Sequence, residues 1–461
     1  MSEAGEVEVL VLGGGPGGYA LAARSAQAGL KTALVEAARL GGVCLTQGCI
    51  PSKALIELSG RIAGRAELAP FLAGGTAAAA PQVALGRVMA WKDGIVDRLN
   101  AGVVKTMARA GVEVVQGWGT MQDARTCLVR GEGGERLLRA RNIVLATGSE
   151  AAALAAVPFG GPVISSTEAL GLTALPRHLA VIGAGYIGLE LGMAFRKLGA
   201  RVTVLEAAPQ ILSQFDAALS APVRRKLQQL DIAVHTGIAI DGVEIAGEQA
   251  TLNIVDNGTE RTIAADKVLV TVGRRPRLAG WGRENLGIGL KDGAVRIDER
   301  CMTDVDRIWA IGDVTGGPML AHRATAQAHV VADQLAGKVA RFDPVAIPAI
   351  CFTDPEIVSV GALPQEAGDR ADIAVAQLSF AGNGRALTLV PGEVDGFLRV
   401  VARRADRRIL GIQAVGPHVS ELSGEFVALL EMGAVVEDVR DMIHAHPTLG
   451  ELLHEAADLV R

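Results

Sequence analysis

Short apolar segments that run into glycines organise the first part of this chain. Residues 7–12 are apolar and β-branched, residues 13–18 form a glycine-rich turn, and residues 19–28 have the alanine-rich pattern of a helix. Residues 31–36 predict a second strand. Uniformly apolar strands of this kind are typical of a parallel sheet that is covered on both faces.

The same strand–turn–helix–strand unit recurs in the middle of the chain. Residues 178–182 predict a strand, residues 183–188 a glycine turn, residues 189–198 a helix and residues 201–206 a second strand. Because a whole βαβ unit is repeated, rather than a short period, the pattern indicates two related nucleotide-binding domains and not a solenoid.

Other patterns fill the remaining chain. Residues 87–110 have a helical period, and the apolar segments 142–148 and 267–273 both end in a glycine turn. From about residue 348 the sequence changes to alternating strands and amphipathic segments. We therefore expect a separate C-terminal domain there.

Composition narrows the class of protein. A chain of 461 residues is too long for one core, and its net charge of −5 gives no reason to expect a nucleic-acid partner. Residues 1–8 lack the features of a secretory signal, and no apolar run reaches the roughly 18 residues of a membrane span. We expect a cytoplasmic protein with no membrane partner.

The first glycine turn carries a dinucleotide-binding pattern. Gly13 permits a tight turn, Gly15 lets the backbone approach a pyrophosphate, and Gly18 allows close packing of helix and strand. Glu36 ends the next strand, 23 positions after Gly13, where a carboxylate would bind ribose hydroxyls. Together these features predict a bound dinucleotide.

The second turn repeats the pattern at the same spacing. Gly183, Gly185 and Gly188 enclose Tyr186 and Ile187, which we include in the predicted binding site. Glu206 again follows the first glycine by 23 positions. A carboxylate there would repel a 2′-phosphate, and no arginine stands beside it, so the second unit is predicted to select NAD over NADP.

A cysteine pair follows directly on the first unit. Cys44 and Cys49 are separated by four residues, and intracellular pairs of this kind are usually catalytic or metal-binding. No second Cys or Cys/His pair completes a tetrahedral metal set, so no metal site is predicted and redox chemistry is favoured. A helix start and a nearby cation are expected to lower a thiol pKa here.

The segment 41–53, which contains both cysteines, closely resembles the active site of class I pyridine-nucleotide disulfide oxidoreductases, especially dihydrolipoyl dehydrogenases. Further segments with the family's pattern are 146–149, 165–170, 273–276, 310–313, 319–322 and 444–451. The resemblance therefore extends over almost the whole chain.

The resemblance implies that FAD binds in the first unit and NAD in the second. It places Asp313 on the ribityl chain of the flavin and implies that Lys53 and Glu190 pair near the flavin N5. The other residues assigned to the cofactors are Gly117, Thr147, Gly148, Ser149, Gly273, Met319, Leu320, Ala321 and His322.

It also implies a catalytic base. His446 would take a proton from the substrate, with Glu451 orienting its ring. In the family these two residues act on the cysteine pair of a partner chain, so the resemblance implies a homodimer. The dithiol would attack Cys44 and leave Cys49 as a thiolate.

The implied activity is oxidation of dihydrolipoamide to lipoamide, with FAD as the internal cofactor and NAD as acceptor. The implied partner is the lipoyl domain of an acyltransferase or carrier protein in a 2-oxoacid dehydrogenase or glycine cleavage complex. Alternatives are a free-standing disulfide reductase, a mercuric reductase-like enzyme and a non-catalytic flavoprotein scaffold. Thr46 and Gln47 between the cysteines, and Gly450 beside Glu451, depart from the family pattern.

The expected fold is therefore α/β, with two Rossmann-like dinucleotide-binding domains and a C-terminal α+β dimerisation domain. The expected boundaries are an FAD-binding domain at 1–150, an NAD-binding domain at 151–276, a segment completing the FAD domain at 277–347 and an interface domain at 348–461.

Overall fold

The computed structural model describes residues 5–65, 83–369, 371–389 and 392–461. The chain divides into two compact units. The first consists of Met1–Ala54, Arg87–Ala152 and Gly273–Asp343, and the second of Leu55–Gly86, Ala153–Val272 and Pro344–Arg461. The first unit contains most of the segment expected to bind FAD, but Leu55–Gly86 fall in the second unit with the NAD-binding and C-terminal segments. The expected four-part division stays a prediction.

Twelve α-helices occur within the described ranges. They are α1 (Pro16–Gln27), α2 (Gly42–Gln47), α3 (Cys49–Gly64), α4 (Leu85–Ala110), α5 (Ser166–Ala169), α6 (Tyr186–Lys197), α7 (Ala217–Gln229), α8 (Ala321–Leu335), α9 (Gly384–Leu389), α10 (Ser423–Glu431), α11 (Val436–Asp441) and α12 (Glu451–Leu459). None of the helices in the described residues is long and apolar enough to cross a membrane.

The strands of the described ranges are β1 (Gly5–Leu12), β2 (Thr32–Glu36), β3 (Glu113–Gln116), β4 (Trp118–Met121), β5 (Thr126–Gly131), β6 (Gly134–Leu145), β7 (Ser149–Ala151), β8 (Val163–Ile164), β9 (His178–Ile182), β10 (Arg201–Glu206), β11 (Ala233–Thr236), β12 (Ala239–Ala246), β13 (Gln249–Asp256), β14 (Thr259–Ala265), β15 (Lys267–Val270), β16 (Arg274–Pro276), β17 (Leu290–Lys291), β18 (Ala294–Val295), β19 (Ile308–Ala310), β20 (Ala349–Cys351), β21 (Glu356–Gly361), β22 (Ile373–Ser379), β23 (Phe397–Arg403) and β24 (Ile409–Gly416).

The first unit is built on a sheet with the strand order β3-β2-β1-β6-β5-β4, and β19 also pairs with β6. The strands β3, β2, β1, β6 and β19 run parallel to one another. β5 pairs antiparallel with β6, and β4 pairs antiparallel with β5. Val9 and Val11 of β1 pack with α1 and α8, while Leu10 packs on the opposite face with β4–β6. Burial of both faces explains why this strand is uniformly apolar.

The second unit contains three sheets. A parallel sheet has the order β11-β10-β9-β15-β8, and an antiparallel sheet is formed by β12-β13-β14. The C-terminal part has a five-stranded antiparallel sheet, β20-β21-β24-β23-β22, whose buried residues pack with those of α10 and α12. The fold class is the expected one, with α/β units followed by an α+β domain.

Two local features differ from the sequence-based predictions. Both helices after the glycine turns begin three residues early, α1 at Pro16 and α6 at Tyr186. Gly15 and Gly185 occupy the N-cap positions, and proline suits the first turn because its missing N–H would have no helical partner. The β12–β14 sheet was not predicted, since its strands are largely exposed and lack a uniform apolar run.

Candidate active site

The first glycine turn joins β1 to α1 and leaves one side open. Gly13 has a φ of +108°, and a Cβ there would lie 2.2 Å from the carbonyl oxygen of Ala146. A Cβ on Gly18 would lie 1.8 Å from the carbonyl oxygen of Gly13. A Cβ on Gly15, in contrast, would have no atom closer than 4.0 Å beyond its chain neighbours. The fold therefore requires the outer two glycines, whereas the middle one leaves room for a ligand at the helix N-terminus.

The second turn repeats this division of roles. Gly183 has a φ of +98°, and a Cβ there would lie 2.6 Å from a carbonyl oxygen just beyond β15. A Cβ on Gly188 would lie 2.1 Å from the carbonyl oxygen of Gly183, but one on Gly185 would meet nothing within 4 Å. Tyr186 and Ile187 form the first turn of α6 beside this open position. Both turns thus have the space that a pyrophosphate needs.

The two predicted ribose-binding carboxylates are held in the same way. Glu36 accepts hydrogen bonds from the backbone N–H of Gly14 at 2.6 Å and of Ala38 at 2.7 Å. Glu206 accepts the equivalent bonds in the second unit at 2.6 and 2.8 Å. Each carboxylate is therefore fixed at the end of its strand beside the glycine turn. This is where ribose hydroxyls are recognised in Rossmann-like folds.

The helix that carries Cys44 is attached to the first glycine turn by backbone atoms. The N–H of Gly41 donates to the carbonyl oxygen of Gly14 at 2.8 Å. Gly42, with a φ of +58°, lies so close to Gly15 that a Cβ on it would be 2.6 Å from the Gly15 Cα. The predicted phosphate site and the predicted redox site are therefore adjacent within the first unit.

The two cysteines are brought together as expected, both as thiols, at the third residue of α2 and the first of α3. The pKa of the Cys44 thiol is raised, chiefly by its hydrogen bond with Cys49 and then by burial, although the charge of Lys53 opposes the rise. The expected lowering by a nearby cation is present, but at Cys44 the hydrogen bond and burial outweigh it. Because a negative charge on Cys49 also raises the Cys44 pKa, the pair favours a proton on Cys44 when Cys49 is a thiolate.

Asp313 lies in the short 3-10 helix Gly312–Thr315, directly after β19. Its Oδ2 accepts a hydrogen bond of 2.5 Å from the hydroxyl of Ser149, which is buried at the start of β7. The hydroxyl of Thr147 donates to a backbone carbonyl at 3.3 Å. The segments that carry Ser149 and Asp313 are far apart in sequence and were assigned to the flavin separately. A hydrogen bond joins them within the first unit.

Further residues assigned to the cofactors are also in the first unit, including Gly273, which was expected to end the NAD domain. Gly117, Gly148 and Gly273 have φ values of +147°, +75° and +126°, which favour glycine. Gly117 donates its N–H to the carbonyl oxygen of Glu36 at 2.9 Å, at the edge of the first turn. The segment at the start of α8 comprises Met319, Leu320, Ala321 and His322.

The predicted base and its partner form a hydrogen-bonded pair in the second unit. Nδ1 of His446 lies 2.9 Å from Oε1 of Glu451, and Oε2 of Glu451 accepts the N–H of Thr448 at 2.7 Å. The Thr448 N–H, followed by the His446 ring, lowers the pKa of Glu451. An ionised Glu451 accepts the Nδ1 proton and leaves Nε2 of His446 as the free basic nitrogen.

A second His–Glu pair lies in the same segment. Nε2 of His444 is 3.0 Å from Oε1 of Glu425, and only 12% of the His444 side chain is exposed, against 81% for His446. The buried ring suits a structural role and the exposed ring suits catalysis. The catalytic role of His446 stays a prediction.

The two units divide the predicted site residues between them. Lys53 and the cysteines belong to the first unit, and Glu190, Glu206 and His446 to the second. Glu190 is 3% exposed, and its Oε1 accepts the N–H of Phe352 at 2.9 Å. Within the described residues, no cluster of three or more His, Cys, Asp or Glu side chains could hold a metal ion.

Sequence reasoning did not assign a role to Arg274. Its guanidinium donates to both the side chain and the backbone oxygen of Ser149. Arg274 and Arg275 are consecutive in a strand, so their side chains point to opposite faces. The sequence could therefore indicate that only one of the two arginines faces inward. It could not indicate that β16 pairs with β7, which lies over a hundred residues away.

Family models match both parts of the chain. Residues 7–328 match the model of the pyridine nucleotide-disulphide oxidoreductases, and residues 347–457 match the model of the dimerisation domain of the same family. The second match supports a homodimer.

Individual relatives match along their full length. The chain is 49% identical to a dihydrolipoyl dehydrogenase of Pseudomonas aeruginosa, with 99% of this chain and 98% of the relative covered. It is 41% identical to a dihydrolipoyl dehydrogenase of Geobacillus stearothermophilus, covering 98% and 96%. Among solved structures, it resembles the copper(II) complex of an HOCl-induced flavoprotein disulfide reductase from Escherichia coli, with a TM-score of 0.88, 26% identity and coverage of 99% and 100%.

Proposed function

This chain belongs to the pyridine nucleotide-disulphide oxidoreductase family, and we propose that it oxidises dihydrolipoamide to lipoamide with NAD as the electron acceptor. It is an FAD- and NAD-dependent oxidoreductase that acts on sulfur groups. The proposed protein partner is the lipoyl domain of an acyltransferase or carrier protein, which presents the dithiol. We also propose a cytoplasmic location.

The residues of the first unit fit FAD. The open face at Gly15 and the fixed Glu36 carboxylate would hold the adenosine diphosphate part, and Asp313 would accept a hydrogen bond from the ribityl chain. Lys53 would lie near the flavin ring. When bound, FAD supplies the two-electron chemistry that links dithiol oxidation to reduction of NAD.

The residues of the second unit fit NAD. Gly185 would admit the pyrophosphate to the N-terminus of α6, and Glu206 would accept hydrogen bonds from the adenine ribose. A 2′-phosphate at that position would face the Glu206 carboxylate, and Ala207 and Ala208 beside it supply no positive charge. We therefore propose selectivity for NAD over NADP.

The chain's own groups carry out the thiol chemistry. Nε2 of His446 takes a proton from the substrate dithiol, and the resulting thiolate attacks the sulfur of Cys44 in the Cys44–Cys49 disulfide. The S–S bond breaks, Cys49 leaves as a thiolate, and the substrate is joined to Cys44. The second substrate sulfur then displaces Cys44, which takes the remaining proton. Lipoamide leaves oxidised, and its two electrons stay on the cysteine pair.

The observation that carries this proposal is the backbone attachment of the Cys44 helix to the first glycine turn. It supports a redox-active thiol beside a bound dinucleotide, as dithiol oxidation through FAD needs.

An anaerobic titration of the purified protein with dihydrolipoamide would test the proposal. We expect a new long-wavelength absorbance, typical of a thiolate beside oxidised flavin, that Cys49→Ser abolishes and NAD removes. Protein that contains flavin but responds only to another dithiol would contradict the substrate. Purified protein that neither contains nor binds flavin would contradict the whole proposal.

A further inference from the structure

Arg274 stands at the end of a short hydrogen-bonded chain that leads to Asp313. Its Nε donates to the hydroxyl oxygen of Ser149 at 2.8 Å, and its NH2 group donates to the Ser149 carbonyl oxygen at 2.9 Å. The Ser149 hydroxyl in turn lies 2.5 Å from Oδ2 of Asp313. The antiparallel pairing of β16 with β7 brings these groups together in the first unit.

The direction of every bond in this chain is fixed. A guanidinium can only donate, so the Ser149 oxygen must accept from Arg274. The single proton of the serine hydroxyl then points to Oδ2 of Asp313, which accepts it. Among the described residues no donor reaches the other carboxylate oxygen, Oδ1.

We infer that Arg274 is a positioning residue for FAD. It acts through Ser149 to hold the Asp313 side chain in one orientation, so that Oδ1 can accept a hydrogen bond from a cofactor hydroxyl. This inference rests on the proposed function, because it takes Asp313 to be a ligand of the flavin. It goes further in assigning to Arg274 a role in cofactor affinity.

The adjacent Arg275 provides a matched control. Its Nε donates to the side chain of Glu150 at 2.8 Å, and the two side chains are 65% and 39% exposed. Arg275 is thus the same residue type in the same strand, but it is engaged in a surface ion pair on the opposite face. Exposed pairs of this kind contribute little.

The experiment measures FAD binding to deflavinated protein, by the change in flavin fluorescence, and the thermal stability of the same apoprotein. We expect Arg274→Gln to weaken FAD binding about tenfold, the usual effect of losing one bond in a charged network. Arg274→Lys, which keeps the charge but not both bonds, should show a smaller loss. Arg275→Gln should bind FAD as the unchanged protein does.

A double-mutant cycle separates positioning from a merely structural role. In the background of Asp313→Asn, Arg274→Gln should weaken FAD binding by less than threefold, because the carboxylate that Arg274 positions is gone. Equal losses in both backgrounds, or a loss that follows apoprotein melting alone, would overturn the inference. If Arg274→Gln does not fold, Ser149→Ala breaks the same chain at its centre and should reproduce the tenfold effect, which Asp313→Asn should again suppress.

The outcome is distinguishable from failure of the proposed function. Unchanged protein that binds FAD and oxidises dihydrolipoamide, together with an Arg274→Gln variant of normal FAD affinity, would refute the inference alone. Unchanged protein with no affinity for FAD would refute both.

Discussion

The ring of His446 is hydrogen-bonded to Glu451 at 2.9 Å, yet 81% of its side chain is exposed, whereas only 21% of the Glu451 side chain is. The carboxylate is thus anchored within its own chain and the imidazole projects from it. Glu451 is the first residue of α12, where the partial positive charge of the helix N-terminus favours a carboxylate. A base presented in this way is suited to act on another subunit.

Mixing two inactive variants tests whether the site is shared between subunits. His446→Gln lacks the base and Cys44→Ser lacks the attacked sulfur, so each homodimer should be inactive. After unfolding and refolding of an equimolar mixture, we expect about one quarter of the normal activity, because half of the dimers are mixed and each has one complete site. Activity that stays at the level of the separate variants would contradict a shared site.

Replacing Glu451 by Gln tests the anchoring carboxylate. The amide keeps the shape of the side chain but loses the negative charge that orients the imidazole, so kcat should fall roughly 100-fold with FAD content unchanged. Glu425→Gln is the matched control, since it alters the partly buried His444 pair, and its rate should stay within about threefold. Similar losses in both variants would argue against a special role for Glu451.

Replacing the middle glycine of either turn by alanine should weaken cofactor binding without affecting the fold. Gly185→Ala should raise the Kd for NAD roughly tenfold and leave FAD content and melting temperature unchanged, because its Cβ meets only the space for the ligand. Gly15→Ala should in turn raise the Kd for FAD roughly tenfold and leave NAD binding and the melting temperature unchanged.

Two other glycines serve as controls for this series. Gly183→Ala should reduce the melting temperature, since its φ is +98° and its Cβ would strike backbone. Gly94→Ala, in the middle of α4 with open space around it, should leave both cofactors bound. Loss of NAD affinity in Gly94→Ala would show that the assay does not report the site.

The βαβ units could be predicted from the sequence because their signals are local. An apolar strand, a glycine turn and a terminal glutamate lie within about 30 residues of one another, the usual span of a dinucleotide-binding βαβ unit. The pairing of Arg274 with Ser149 could not be predicted, because it depends on the register of β16 against a distant strand. The raised pKa of Cys44 was also missed, since burial and the sulfur–sulfur contact appear only in three dimensions.

A buried ion pair offers a test of stability in the second unit. Arg399 and Asp216 lie 2.8 Å apart with 7% and 14% of their side chains exposed, and Asp216 also caps α7. Asp216→Ala should lower the unfolding free energy by about 3–5 kcal/mol, because it leaves a buried guanidinium without its partner. Asp97→Ala, which removes the exposed partner of Arg39, should lower the unfolding free energy by about 0–1 kcal/mol. Urea titration of the two variants and the unchanged protein would measure both differences.

We expect acid to destabilise the fold in part through protonation of Asp354. Desolvation pushes its pKa up, but Lys197 and Lys226, at 2.7 and 3.5 Å, pull it below the usual value. A carboxyl with a lowered folded-state pKa stabilises the fold above its unfolded pKa, and this contribution is lost as the pH falls through the folded value. Asp354→Asn should therefore lower the free energy of unfolding at neutral pH. It should have no such effect at a pH below the folded-state pKa of Asp354. The free energy of unfolding of both proteins would be measured by urea titration across pH, and a difference between them that does not change with pH would refute this prediction.

The contact between Gly42 and Gly15 has a consequence for protein engineering. Because this joint is made by main-chain atoms, with no side chain on either partner, it cannot be retuned by exchanging one residue for another. Thr46, which lies between the cysteines, donates its hydroxyl to the carbonyl oxygen of Gly42 at 2.7 Å and so helps to hold one side of this contact. Designers who wish to alter thiol reactivity can exchange other side chains of α2, while the glycine contact that attaches this helix permits almost no variation.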